Sequence, residues 1–139
     1  MTSYTRPPLD FMVSREDWCR YDLSDHSILK VKVVLTKVYK NQGQLMCEIS
    51  PIHVILTNEK GDPDLNAYSV EELKASIIRD IRFTGVIQDW NEYLVDDGTT
   101  IKIQPVVLKI AKTSKFDLKG FPRYICDIKG DMQMDPPSS

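Results

Sequence analysis

DWCRYDLSDHSILKVKVVLTKVYK, residues 17–40, aligns without a gap with DWNEYLVDDGTTIKIQPVVLKIAK, residues 89–112. The two stretches lie 72 positions apart and contain the only two tryptophans of the chain. Each tryptophan is followed three residues later by a tyrosine and seven residues later by an aspartate. The similarity resumes after a loop, with LMCEI at residues 45–49 facing YICDI at residues 124–128. Self-similarity at a fixed spacing indicates an internal duplication.

Each copy has the pattern of three antiparallel strands. Asp97 and Gly98 lie between alternating segments, a strong hairpin signal because the favoured two-residue turn needs positive φ. In the strands that follow the turns, at residues 28–39 and 100–111, apolar residues alternate with lysines until the pattern slips at the same place in both copies. Such a slip indicates a bulge, or a strand that leaves one sheet for another. Pro105, close to the second slip, agrees with this because proline is confined to sheet edges and bulges.

The faces of these strands predict the fold. Three strands with one apolar face cannot bury that face alone, so the two copies are expected to share one interior. We therefore predict a mainly β protein with one helix, in which two copies of a three-stranded antiparallel meander form a pseudo-twofold six-stranded barrel or sandwich. The expected parts are a flexible N-terminal arm (1–13), a single domain (14–134) made of repeat one (17–55), a linker and helix (56–84) and repeat two (89–134), and a C-terminal tail (135–139).

Two short stretches carry helix signals. Ser69 and Glu72 have the spacing of a capping box, and apolar residues then recur at helical spacing, which predicts a helix over residues 70–81. Ser14 and Asp17 have the same spacing, which predicts one helical turn before the first tryptophan.

Composition limits the class of protein. The chain has 139 residues, 42% of them hydrophobic and 27% charged, as is ordinary for one globular domain. No apolar run approaches the ~20 residues that span a bilayer, and the first residues lack the pattern of a secretory signal. The three cysteines show no CxxC spacing, which favours free thiols in a reducing compartment. We expect a cytoplasmic protein with no membrane partner.

The sequence gives no positive sign of catalysis. It contains no G-x-S-x-G, P-loop, H-E-x-x-H or G-x-G-x-x-G pattern. His26 lies in a turn, where it is expected at positive φ, and His53 has no second ligand at metal-binding spacing. Cys47 and Cys126 occupy matching positions between apolar residues, which predicts buried and unreactive thiols. The acids at the two turns are expected as turn formers, with cation binding as the alternative. We predict no catalytic residue, no metal and no cofactor.

The lysines of the long strands allow two interpretations. Lys30, Lys32 and Lys102 lie in stretches that contain few acids. If the two strands lie side by side, these lysines would form a basic stripe suited to single-stranded nucleic acid. Few aromatic residues are interleaved with them, and the pI near 5.7 is far from a basic footprint. The alternative is a solvated strand face whose lysines pair with acids across the ladder and protect the edge.

Apolar residues in a polar loop indicate a contact that only the second copy makes. Phe116, Leu118 and Phe121 lie in the long loop between its last two strands and need cover. The paired tryptophans and tyrosines are expected in the core, or as anchors for a partner. The leading hypothesis is a non-enzymatic binding or assembly module, homo-oligomeric or part of a larger complex, whose partner is a protein, most directly itself. A single-strand nucleic-acid binder is the alternative and an enzyme the third. The candidate partner contacts are Phe116, Leu118, Phe121, Lys30, Lys32 and Lys102.

Overall fold

The computed structural model describes residues 7–137. This part of the chain is mainly β, as predicted, and all its strand pairings are antiparallel. Within it, no helix is long and apolar enough to cross a membrane. The elements in chain order are β1 (Phe11–Arg15), β2 (Cys19–Leu23), β3 (Ile28–Asn41), β4 (Gln44–Leu56), α1 (Val70–Ala75), β5 (Ile77–Ile81), β6 (Phe83–Ile87), β7 (Asn91–Val95), β8 (Thr100–Phe116) and β9 (Pro122–Asp135).

The strands form two sheets. Sheet 1 has the order β4-β3-β2-β6, and sheet 2 has the order β1-β7-β8, with β5 and β9 both paired to β8. Both predicted meanders are present, as β2-β3-β4 and β7-β8-β9. The pairings among residues 7–137 do not close into a barrel, because each sheet keeps free edges. Three strands beyond the six predicted, β1, β5 and β6, extend the two sheets.

The predicted slips in the long strands are bulges. The register between β3 and β4 shifts between Leu35 and Lys37, and that between β8 and β9 shifts between Val107 and Lys109. Pro105 lies between the part of β8 that pairs with β7 and the part that pairs with β5. Around Pro105, β8 is therefore paired with β9 but with no strand on its other side, and a gap in pairing tolerates proline.

One strand of each half, β1 in the first and β6 in the second, pairs with the other half. Below, unit one denotes residues 7–56 and unit two residues 77–137. β1 of unit one pairs with β7 of unit two, with Phe11 opposite Val95. β6 of unit two pairs with β2 of unit one, with Phe83 opposite Leu23. The partners in these two pairings are offset by 72 positions, the spacing of the sequence similarity.

Two clusters form the core, and each contains residues of both units. Tyr21 and Tyr93 are buried in the core, whereas Trp18 is 38% exposed and lies outside it. The first cluster contains Cys19, Tyr21, Leu23, Leu29, Val31, Ile81, Val107 and Ile110, and the second contains Val33, Leu35, Val38, Tyr93, Val95, Ile101 and Ile103.

The helix predictions are corrected by the structure. The capping box at Ser69 is present, but α1 ends at Ala75, and the isoleucines expected to continue it form β5. β-branched residues favour strands, and β5 pairs with β8, which the local pattern does not reveal. The helical turn predicted from Ser14 is wrong because Ser14 belongs to β1.

Part of the predicted N-terminal arm takes part in the fold. Leu9 donates a backbone hydrogen bond to Val38, at 2.8 Å, and β1 begins at Phe11. Residues 1–6 of the arm, and residues 138–139 of the predicted tail, lie outside the described part of the chain.

Candidate functional site

A groove of about 640 Å³ runs beside the second half of β4. This volume is within the range of ligand and peptide pockets. One wall is the end of β4, and the other is the loop between β8 and β9 with the start of β9. Its lining residues are His26, Ile28, His53, Val54, Ile55, Leu56, Thr57, Asn58, Asp117, Lys119, Phe121, Pro122 and Tyr124.

The β4 wall is a free strand edge without charge. β4 is the outer strand of sheet 1, and residues 52–56, IHVIL, contain no charged residue and no proline. Ile52, Val54 and Leu56 lie on the same face and are 42%, 42% and 47% exposed. Natural edge strands are usually protected by lysine, proline or a cover, because an unpaired edge recruits further strands. Pro51 protects only the position before this segment.

The corresponding strand of unit two is protected. Val54 of β4 lies opposite Lys30 of β3. Lys102 of β8, which is 72 positions after Lys30, lies opposite Gln133 of β9. By the same register, Asp131 and Asp135 of β9 take the places of Ile52 and Leu56. The two outer strands therefore share one geometry, but one is apolar where the other is acidic and polar.

A buried charged cluster lies next to the groove. Lys112 of β8 is 5% exposed, and its Nζ lies 3.6 Å from Oδ2 of Asp25 in the β2–β3 turn. The same ammonium contacts the carboxylate of Glu59 in the segment that follows β4. The hydroxyl groups of Tyr124 and Ser27 both donate to the Asp25 carboxylate. Each polar group of this cluster is thus satisfied by another member.

Hydrogen bonding determines the ionisation of this cluster. Burial alone would raise the pKa of Asp25, but the hydrogen bonds from Ser27 and Tyr124 and the nearby Lys112 ammonium outweigh it and lower that pKa. Burial, together with the hydrogen bond to Asp25, raises the pKa of Tyr124 to about 12. The carboxylate and the phenol therefore keep these forms across the physiological range.

The equivalent ion pair in the other half is exposed. Lys40 Nζ lies 3.4 Å from Asp97 Oδ2, and these side chains are 49% and 22% exposed. In both pairs, the lysine belongs to one unit and the aspartate to the other. Only the Asp25–Lys112 pair is covered, because the segment that carries Glu59 packs beside it.

The segment between β4 and α1, residues 57–69 (the connecting segment), also covers the loop between β8 and β9 that the sequence singled out. Gly61 N donates to Gly120 O at 2.7 Å, and Asp64 N donates to Asp117 O at 2.9 Å. Phe116 packs against Gly61, where a Cβ atom would lie 2.9 Å from its ring. The structure therefore places three candidate contacts differently: Phe116 is half-buried under the connecting segment, Phe121 lines the groove and Leu118 is 62% exposed.

The three candidate lysines are divided between the sheets. Lys30 and Lys32 lie on β3 in sheet 1, whereas Lys102 lies on β8 in sheet 2. Lys32 Nζ lies 4.7 Å from the Trp18 ring centre and 3.6 Å from a Glu16 carboxylate oxygen. Lys102 Nζ lies 4.0 Å from the carboxylate of Glu92, its neighbour across the ladder. The structure thus brings Lys30 and Lys32 together and places Lys102 apart.

The predicted positive φ is found at the last residue of each hairpin loop and not at Asp25 or Asp97, because the loops have three residues instead of two. His26 has φ 69° and Gly98 has φ 90°. The thiols are held in their neutral form. Burial raises the pKa of Cys19 and of Cys47, and it raises the pKa of Cys126 to about 11. Within residues 7–137, no three His, Cys, Asp or Glu side chains are grouped so that they could hold a metal ion.

The sequence reasoning missed the apolar edge and the buried charged cluster. The edge could have been found by extending the alignment past YICDI, because residues 52, 54 and 56 then face residues 131, 133 and 135. Nothing in the sequence links Glu59 to Lys112. Comparison of the chain with protein-family models, with curated proteins and with solved structures gave no match.

Proposed function

We propose that this protein is a non-enzymatic assembly module that joins a second copy of itself through the free edge of β4. The observation that supports the proposal is the exposed segment at residues 52–56, which has no charged residue, no proline and no strand paired on its outer side. The outer strand of sheet 2 has acidic and polar residues at the equivalent positions. A difference between two otherwise similar strands favours a specific role for the unprotected one.

The proposal includes the architecture of the chain. We take it as a duplicated unit whose two copies pack as a sandwich about a pseudo-twofold axis. Two observations support this. The pairings of β2 with β3 and of β7 with β8 differ by 72 positions throughout, as Tyr21 opposite Leu29 and Tyr93 opposite Ile101 illustrate. The bulges in β3 and β8 differ by the same number.

The β4 segment is complementary to itself. When two copies meet antiparallel about a twofold axis at Val54, Ile52 of one copy lies opposite Leu56 of the other. Three apolar side chains of each copy then cover one another, and the backbone groups gain partners across the new ladder. A twofold contact of this kind is isologous and closes as a dimer. The groove beside residues 53–58 leaves space for the added strand.

The chemistry of the remaining groups supports a non-enzymatic role. The raised pKa values of the three cysteines keep them as thiols, which are weak nucleophiles. Asp25, Lys112 and Tyr124 satisfy one another. The lysines of the long strands serve solubility in this proposal, because Lys32 and Lys102 already face acids. The free cysteines also favour a reducing compartment, and we propose the cytoplasm.

Replacing Val54 by lysine tests the edge. The wild-type protein is expected at about twice the chain mass of 16.0 kDa in light scattering, because the added strand pair buries the apolar edge. Val54→Lys places a charge at the centre of that pair and should shift the mass to that of one chain. Thr84→Lys is the matched control: it adds the same charge at an exposed position of β6, the opposite edge of sheet 1, and should leave the dimer intact.

Two results would contradict the proposal. One is a wild-type protein that has the mass of one chain at every concentration, and the other is a dimer that Val54→Lys does not weaken. The ratio of absorbance at 260 and 280 nm in the same samples addresses nucleic acid. A bound oligonucleotide that salt releases would favour the nucleic-acid hypothesis instead.

A further inference from the structure

We infer that the pairings of β1 with β7 and of β6 with β2 can also form between two chains, so that a second copy of this protein can exchange units with the first. In the exchanged dimer, unit one of each copy packs on unit two of the other. This inference concerns β6, at the opposite edge of sheet 1 from β4, and β1, at an edge of sheet 2, and it does not depend on the assembly proposed above.

The contacts between the units are reciprocal, as in a twofold dimer. Asp96 N donates to Asp10 O at 3.0 Å, and 72 positions away Ser24 N donates to Arg82 O at 2.8 Å. The ring contacts repeat as well. Phe11 and Tyr93 form an edge-to-face pair with ring centres 5.9 Å apart, and the equivalent pair in the other sheet is separated by 6.1 Å. Two different chains would form the same set of contacts.

Neither unit can bury its apolar face alone. Leu29 of unit one packs in a cluster with Val107 and Ile110 of unit two. Ile103 of unit two packs in a cluster with Val33 and Val38 of unit one. Each unit therefore needs the other, whether that unit comes from the same chain or from a second one.

The connection between the units allows this choice. Residues 57–69 contain no strand or helix, and the contacts of Glu59, Gly61 and Asp64 anchor this segment to unit two. Residues 57–69 therefore move together with unit two. In an exchanged dimer, the backbone needs to change its conformation only near Thr57, which acts as the hinge. The tethered unit has an effective concentration of roughly millimolar for a short linker. The single chain should accordingly form in dilute protein, and exchange should appear as the concentration approaches that value.

Cysteines placed on opposite strands test the exchange. Met12 of β1 and Leu94 of β7 lie directly opposite each other and are 64% and 39% exposed. One copy carries Met12→Cys and the other Leu94→Cys, and both carry Val54→Lys so that the β4 edge does not contribute. The copies are unfolded, mixed, refolded together at about 1 mM or about 1 μM and oxidised with glutathione disulfide. We expect a covalent dimer at the higher concentration, at least about tenfold more than at the lower one.

Two controls define the result. A mixture of Met12→Cys and Asp22→Cys copies sets the background from the native cysteines, because Asp22 lies opposite Thr84 and not opposite Met12. The double variant Met12→Cys/Leu94→Cys, refolded dilute, should close its disulfide within one chain. If it closes while the mixture yields no more dimer than background, the exchange is excluded. If it does not close, the pairing of β1 with β7 is itself overturned. Neither result bears on the mass of the wild-type protein, which tests the β4 edge separately.

Discussion

At the scale of single residues, Asp25 and Asp97 occupy equivalent turns and differ in burial. The Asp25 side chain is 5% exposed beside the buried Lys112, whereas Asp97 pairs with the half-exposed Lys40. Asp25→Asn removes one of the carboxylates that contact the buried Lys112 ammonium. This substitution should lower the free energy of unfolding by about 3–5 kcal/mol. Asp97→Asn should lower it by no more than about 1 kcal/mol. Urea unfolding at pH 7 measures both. Equal losses in the two variants would show that Asp25 is not in a buried pair.

The same carboxylate gives the protein a pH dependence. Because the folded-state pKa of Asp25 is lowered, the stability that it contributes is present above the unfolded-state pKa near 3.9 and is lost as the pH falls through the folded-state value. The difference in unfolding free energy between wild type and Asp25→Asn should therefore shrink on acidification below about pH 4. A difference that stays constant down to acid denaturation would mean that Asp25 is not the group responsible.

Turn residues were the most predictable part of the candidate site. His26 and Gly98 could be assigned to positive φ from their place in the turns, because few residue types favour that conformation. The loop length was wrong: each loop has three residues, and only its last residue has positive φ. The burial of Lys112 could not be predicted. It depends on Glu59, 53 positions earlier in a segment without periodicity, and on packing that only the folded chain creates.

At the scale of elements, two turn glycines allow the cost of a positive φ to be distinguished from the cost of a steric clash. Gly43 in the β3–β4 turn has φ 77° and no atom within 4 Å of a Cβ built there. Gly120 in the β8–β9 loop has φ 88°, and its Cβ would lie 2.4 Å from Gly61 O. Gly43→Ala should destabilise by about 1 kcal/mol from the positive φ alone. Gly120→Ala should destabilise by roughly 3 kcal/mol or more, because the connecting segment must also move. Thermal unfolding compares the stability of the two variants. Similar losses of stability would show that the connecting segment can move away from residue 120 at little cost.

Elements set by local chemistry were predicted better than elements set by distant partners. The capping box at Ser69 was predicted, but the end of the helix was not, since β5 exists only because β8 lies beside it. The bulges in β3 and β8 were predicted because a change of parity is visible in one strand. β1 was not predicted as a strand, because its partner β7 lies in the other unit.

At the scale of the whole molecule, the mixed clusters predict one cooperative transition. Leu29 and Ile101 are fully buried, one in each cluster, and each cluster contains residues of both units. Leu29→Ala and Ile101→Ala should each destabilise by about 2–5 kcal/mol. In Trp18→Phe and Trp90→Phe backgrounds, the remaining tryptophan reports on one unit. The fluorescence transitions should coincide with each other and with circular dichroism. Separate midpoints for the two tryptophans would contradict a shared core.

The mainly β architecture with its two meanders was predictable from alternation and turn chemistry. The choice between a barrel and two open sheets was not predictable, because it depends on which strand edges remain unpaired. In this molecule, β1, β5 and β6 occupy edges that a six-stranded closure would have used. The apolar residues of β4 can be read from the alignment, but the absence of a strand beside them is known only from that arrangement.

The pairing of β1 with β7 has a consequence for synthesis on the ribosome. Val95, the partner of Phe11, is translated 84 codons after it. At about 5–20 residues per second, the nascent chain holds β1 without its neighbour for roughly 4–17 seconds. Leu29 of β3 likewise waits for Val107 and Ile110 of its core cluster, which are translated 78 and 81 codons after it. During translation the apolar face of unit one therefore stays without its cover for about the same time, and sheet 1 is completed only when β6 has been made.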